Sequence, residues 1–415
     1  MAATSRPSTV SAASVPITFL LVNALSYALL LVAAHVLSKS DYGELSSLLG
    51  LLLISTIPML ALQTVAARRA ATQTESDGIV RGTAVVGGVA TLVLVLLSPA
   101  LAAFLHLSDL IGILLVAATV PAGAVLGSAM GIAQGRRQFA RLALLIVAAT
   151  GGRSACGLVG LALGRSSEAT LLGVVVGMSG AALVVAASGP GFAAHRVALR
   201  DRRPAGVLSE TAGAAVAHGT FLLLTTLDVL LARHVLSSSA AGVYAVGSVV
   251  TRAAVWLPQS IVALMFASLA TTGHHRRSAR RASVVVLGLG AALVAGTATL
   301  GPLVVTFVGG AKYHALDDSI GLYALLGALL AVLQLSVLAG LAQKTARRAA
   351  VLWATIVVDV AVVLAAEDTM TPTRLVVTLS IVAGAAAAVA LWLTVREPGL
   401  TVAQPVSPEG HGPGV

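Results

Sequence analysis

Cysteine is nearly absent. Cys156 stands alone in 415 residues, which excludes disulfides and cysteine-built metal sites. Charge is scarce too: charged residues make up 10% of the chain and hydrophobic ones 57%. A soluble domain carries about 25% charged residues, so this chain cannot coat a water-exposed globule. Aromatics are only 4% and do not punctuate the basic clusters. The net charge of +10 therefore builds no nucleic-acid groove, and no nucleic-acid partner is expected. Residues 1–14 are small and polar and the first apolar stretch has full span length, so no cleavable signal peptide is expected.

What is present is apolar sequence in long blocks, with a mean hydropathy of +0.97. A membrane span needs roughly 20 mostly apolar residues. Twelve such blocks can be drawn, at 16–37, 45–67, 83–105, 110–133, 140–163, 169–188, 212–235, 242–269, 283–308, 317–342, 349–366 and 374–394. The expected fold is an all-α polytopic membrane protein. The basic residues test the count. Alternate connections, beginning with the N-terminal tail, hold 19 Lys and Arg, and the opposite set holds five: Lys39, Arg165, Arg233, Lys312 and Arg374. The positive-inside rule then places both termini in the cytoplasm. Arginine outnumbers lysine and Ala, Val and Gly abound, a bias typical of GC-rich bacteria, so a bacterial cytoplasmic membrane is the expected location.

Two phrases recur half a chain apart. "HVLSKSDYG" (35–43) returns as "HVLSSSAAG" (234–242) at an offset of 199, and "LSPALAAF" (97–104) returns as "LGPLVVTF" (300–307) at an offset of 203. Pro58 and Pro258 fall midway along the second and eighth blocks, where proline bends a helix. Each half has an even number of blocks, so the halves insert in the same orientation as a parallel repeat. The expected organisation is a disordered N-tail 1–14, an N-lobe 15–190, a cytoplasmic linker 191–211, a C-lobe 212–395 and a disordered C-tail 396–415, giving two parallel six-helix lobes around a central cavity.

Several segments resemble a known family. "AAHVLSKSDYGELSSLLGLLL", with Asp41-Tyr42-Gly43, is similar to the opening of the polysaccharide and oligosaccharide flippases of the multidrug/oligosaccharidyl-lipid/polysaccharide (MOP) flippase superfamily. "GIAQGRRQFARLALL" (131–145) looks like their Gln-Gly-x-x-x-Phe segment. "GGRSACGLVG" falls where they often carry an intramembrane arginine, here Arg153. The stretch 228–266, with Asp228, Gly242-x-Tyr244 and Leu257-Pro258, is the nearest match, and 307–334 fits the following outer loop. Ala240 and Ala241 depart from the polar residues often found before the second Gly. The resemblance implies two six-helix lobes that carry a polyprenyl-diphosphate-linked glycan to the outer leaflet by alternating access. It also implies H+ or Na+ as a coupling ion, glycan-assembly proteins as partners and no cofactor.

Charges within the blocks mark the candidate site, because each costs at least about 2.5–3.5 kcal/mol at a helix centre. They are Arg153, Asp228, Arg252 and Asp359. Asp228 lies about 12 Å below the second phrase and Arg252 about 15 Å below it on the next helix, so the two can meet. Arg153 and Arg252 are the candidate diphosphate ligands, since guanidinium forks match phosphate oxygens. Asp228 and Asp359 are the candidate coupling or gating groups. A fixed Asp228–Arg252 pair holding two helices together is the competing reading. His35 and His234 read as ordinary interfacial histidines. The inner arginine clusters read as topology anchors and contacts for membrane lipid head groups.

An enzyme is not expected. A membrane glycosyltransferase or polymer ligase needs acids, bases or metal ligands gathered at one face, whereas the acidic residues here are scattered over short connections. A cation-coupled drug exporter of the same superfamily is the nearer competitor.

Overall fold

The computed structural model describes residues 9–72, 77–188, 205–269, 275–341 and 346–396, and these are helical throughout apart from short connections. The first half contains α1 (Thr9–Val36), α2 (Lys39–Ser55), α3 (Ile57–Ala71), α4 (Asp77–Phe104), α5 (Ile111–Gly135), α6 (Phe139–Ile146), a π turn (Val147–Gly151), α7 (Gly152–Gly164) and α8 (Ser167–Ser188). The second half contains α9 (Ala205–Leu224), α10 (Leu227–Val235), α11 (Ser238–Leu269), α12 (His275–Thr299), α13 (Gly301–Gly309), a 3-10 turn (Ala311–Leu316), α14 (Ile320–Leu341), α15 (Ala346–Ala365) and α16 (Pro372–Arg396). Each of the twelve expected blocks falls mainly on described helix. Among the described residues, seven helical stretches are long and apolar enough to cross a membrane, or up to eight if the bent pair α12–α13 is one span.

α1 starts at Thr9, inside the stretch expected to be a disordered tail. Residues 1–8, most of the expected linker 191–211 and the tail beyond Arg396 lie outside the described residues.

Four of the expected spans are interrupted rather than continuous, and each interruption has a local cause. Thr56 separates α2 from α3, where Pro58 sits in the first turn of the new helix and Thr56 Oγ1 donates to the Leu53 carbonyl at 2.6 Å. Thr225 and Thr226 separate α9 from α10, and their hydroxyls turn back onto the Phe221 and Leu222 carbonyls. Such back-bonding competes with the helical ladder and bends it. The π turn interrupts α6–α7 two residues before Arg153. The bend between α12 and α13 reaches 91°. There the second proline echo departs from the first, because Pro99 lies inside continuous α4 while Pro302 opens α13. Pro258 falls within α11, but its side chain is outside the described residues.

α5 packs on α3, α4 and α8, and α14 packs on α11, α12 and α16. The two halves meet along α2–α11 and α3–α9. With no hydrophobic driving force between helices in lipid, close packing must hold them, and small residues permit it. α5 places Gly127, Gly131 and Gly135 one turn apart against the α3 backbone. A Cβ on Gly131 would collide with the Gln63 carbonyl and lie 2.7 Å from Ala66 Cβ. Gly131→Val should therefore lower the thermal melting point of the detergent-solubilised protein, by the equivalent of about 1–3 kcal/mol. Gly88→Val, where a Cβ meets nothing within 4 Å, should leave it unchanged.

Candidate functional site

The repeated phrase builds the same local structure twice. Ser38 caps α2 by accepting from Asp41 N at 3.1 Å, and Ser237 accepts from Ala240 N at 3.4 Å at the start of α11. Each cap is followed one turn later by glycine, and the two glycines face each other. A Cβ on Gly43 would lie 2.8 Å from Gly242 N, and one on Gly242 would overlap the Lys39 carbonyl. Backbone thus touches backbone where the helix starts of α2 and α11 cross. Tyr42, Tyr244, Tyr313 and Tyr323 are fully buried around this seam. Tyr42 meets Tyr313 edge-on at 6.5 Å, and Tyr244 meets Tyr323 at 5.2 Å.

Cations bridge the halves at the same end. Lys312 Nζ donates to the carbonyls of Leu37 at 2.5 Å and His35 at 3.3 Å. Burial, and then the neighbouring Lys39 ammonium, holds Lys312 below the usual lysine range. Arg233, only 4% exposed, reaches from α10 into the first half. It donates to the carbonyls of Leu105 at 3.0 Å and His106 at 3.5 Å, and lies 3.7 Å from Glu44. Ser167 donates to the other Glu44 oxygen at 2.8 Å. Next to it, the His234 ring stacks on Phe104 at 4.3 Å and hydrogen-bonds the Phe104 carbonyl at 2.8 Å. A cation at the end of α4 complements that helix's dipole.

Beneath the seam lie the buried charges. The helix break at Thr225–Thr226 places Asp228 in the first turn of α10, where unpaired backbone N–H groups favour a carboxylate. Tyr244 Oη donates to Asp228 Oδ2 at 3.5 Å. Arg252, Asp228 and Asp359 lie within Coulombic range of one another or of Tyr244. Among the described residues no ion pair joins Asp228 to Arg252, so the fixed pair considered from helix depth is not formed. Its carboxylate faces the Tyr244 hydroxyl instead. Asp228 Oδ1, Asp359 Oδ1, and Arg252 Nε and Nη2 are buried without hydrogen-bond partners. Arg153 lies apart on α7, its Cα 2.8 Å from where a Gly177 side chain would begin on α8. No described hydrogen bond or ion pair joins Arg153 to the other three.

The opposite, arginine-rich end is also tied. Glu210 on α9 accepts from Arg68 at 2.6 Å and from Arg69 at 3.0 Å on α3. One turn deeper, Thr64 and His218 hydrogen-bond at 3.0 Å. A cleft of about 350 Å³ beside Thr64, Arg68, Glu210 and Gly213 opens from this latch. Neither Glu210 nor Arg233 was singled out by sequence. A signal existed for Arg233, whose counterpart one repeat earlier is Ala34.

Comparison with solved structures gives the architecture its place. An inward-facing multidrug-resistance MATE transporter of the MOP superfamily superposes with a TM-score of 0.68 at 13% identity, covering 93% of this chain and 97% of its own. The lipid II flippase MurJ in an inward closed conformation gives 0.71 at 10% identity, covering 92% and 87%. The chain has the fold of the MOP-superfamily transporters. An outward-facing MATE structure gives 0.56 at 14% identity, covering 92% and 93%. No protein-family model and no curated relative matches this chain.

Arg233→Ala removes the pin across the seam while leaving the helix caps in place. In a Cys156→Ser background, an Ala241→Cys probe, 3% exposed as alanine, should react faster with a water-soluble maleimide once Arg233 is lost. Unchanged labelling would show that the pin does not hold the seam.

Proposed function

We propose that this protein is a flippase that moves a polyprenyl-diphosphate-linked oligosaccharide from the inner to the outer leaflet by alternating access. Its twelve spans form two parallel six-helix lobes, 15–190 and 212–395, with both termini in the cytoplasm. The observation that carries this reading is a set of buried charged groups, each with at least one atom lacking a hydrogen-bond partner, lying between the two tied ends. Asp228, Arg252 and Asp359 sit between the glycine crossing at one end and the Arg68–Arg69–Glu210 latch at the other. Unpaired charges in an apolar interior are costly, and a transported anion with a coupling cation accounts for that cost. The better superposition on inward-facing than on outward-facing MATE, 0.68 against 0.56, supports reading the glycine seam as the closed outer gate.

In the cycle, Arg252 and Arg153 bind the diphosphate. Asp228 and Asp359 exchange H+ or Na+, and the lobes rock about helices bent at Pro58 and Pro258. Membrane lipids surround the bundle and glycan-assembly proteins supply the substrate. The glycan-lipid substrate rests on the resemblance of the sequence segments together with the MurJ fold. The MATE fold favours a second reading, a cation-coupled exporter of small molecules.

Reconstitution separates the two readings. Liposomes containing the protein should translocate a fluorescent lipid-diphosphate oligosaccharide. Drug export without such translocation would contradict the proposal. Arg252→Ala should abolish transport at normal protein level, whereas loss of the protein itself would assign Arg252 a structural role. Glu210→Gln should weaken the latch and raise labelling of a cysteine placed at Ala214, in the cleft beside it, with little change in melting point.

A further inference from the structure

A lateral groove of about 490 Å³ runs between α6–α7 and α8, away from the contacts between the halves. Its walls include Leu145, Ala148 and Cys156 on one side and Gly180 and Val184 on the other, with Arg141 at one end. The groove follows from the backbone. α7 and α8 touch directly, because Gly173 admits the Cys156 carbonyl and Gly177 admits the backbone of Gly152 and Arg153. Past that contact the π turn adds one residue to the helix, and α6 turns onto α1 and α5 instead of α8. The helices diverge, and Gly180 leaves the gap unfilled, since a Cβ there would meet nothing within 4 Å.

Its dimensions and charge select the ligand. From Arg141 to Cys156 the wall is about 22 Å long, enough for one leaflet of a hydrocarbon core about 30 Å thick. Exposed Arg141 lines its end, the equally exposed Arg136 and Arg137 precede it in the same connection, and residues 131–165 contain no Asp or Glu. Basic pockets between membrane helices attract anionic head groups. We propose that this groove binds one anionic glycerophospholipid, with an acyl chain between α6–α7 and α8 and its phosphate on Arg141. A bound chain would press on the π turn and on the helix that carries Arg153.

Photo-crosslinking tests this with the full-length protein in nanodiscs, using phosphatidylglycerol or phosphatidylcholine that carries a diazirine in one acyl chain. Mass spectrometry should find adducts within 141–156 and 176–185, with phosphatidylglycerol favoured about fivefold. Arg141→Gln, an exposed position, should equalise the two lipids. Gly180→Phe, or the smaller Gly180→Leu, should fill the groove and remove the adducts without lowering the melting point. Equal capture of both lipids by the wild type, or adducts that survive both Gly180 substitutions, would reduce the groove to ordinary boundary lipid and overturn the proposal. So would preferential displacement by polyprenyl phosphate, which would make the groove a track for the tail of a translocated lipid.

Discussion

Two glycine backbones in contact set the geometry of the structure. At Gly43 and Gly242 the starts of α2 and α11 cross so closely that neither position has room for a methyl group. The crossing brings together two equivalent serine-capped turns, one from each half, and everything at that end is arranged around it. Lys312 closes over the end of α1, Arg233 caps the end of α4, and four tyrosines fill the space beneath. The backbone contact is flanked by one hydrophobic core shared by both halves, in which Tyr42 of the first half packs on Tyr313 of the second.

Below the seam, helix breaks do what continuous helices could not. The pair of threonines before Asp228 ends α9 and exposes a fresh helix N-terminus at the depth of the carboxylate. Irregular backbone within a membrane is tolerated where protein surrounds it or a cavity adjoins it, and discontinuous helices are a recurring way to build sites for charged substrates. Tyr244 and the first backbone N–H groups of α10 hydrogen-bond the Asp228 carboxylate, while Asp228 Oδ1 and the Nε and Nη2 of Arg252 are buried without hydrogen-bond partners.

Much of the helical layout was legible because span length and charge alternation are one-dimensional signals. Each apolar block falls mainly on helix, four of them with a break, and the nine-residue repeat marked the two turns that meet. The charged cluster was legible in part. Depth counting brought Asp228 and Arg252 near each other, but it assumed straight helices and missed the break at Thr225–Thr226 that turns the carboxylate toward Tyr244. The echo at Pro302 misled for a similar reason. Gly301 packs against the Asp317 carbonyl, so the chain turns there, whereas the equivalent proline in α4 stays within a helix. Arg233 and Glu210 looked like ordinary connection and helix-end charges. Their roles depend on which distant element faces them, a pairing that neither hydropathy nor spacing encodes.

The proposed cycle requires the seam to open and close during transport. Spin labels at Ser38 and Ser238, both exposed, report its width by double electron–electron resonance in a Cys156→Ser background in lipid. One short distance should dominate at rest, and a second, longer population should grow when a lipid-diphosphate oligosaccharide and a cation gradient are supplied. A single unchanged short distance, recorded while the same proteoliposomes translocate substrate, would contradict the account.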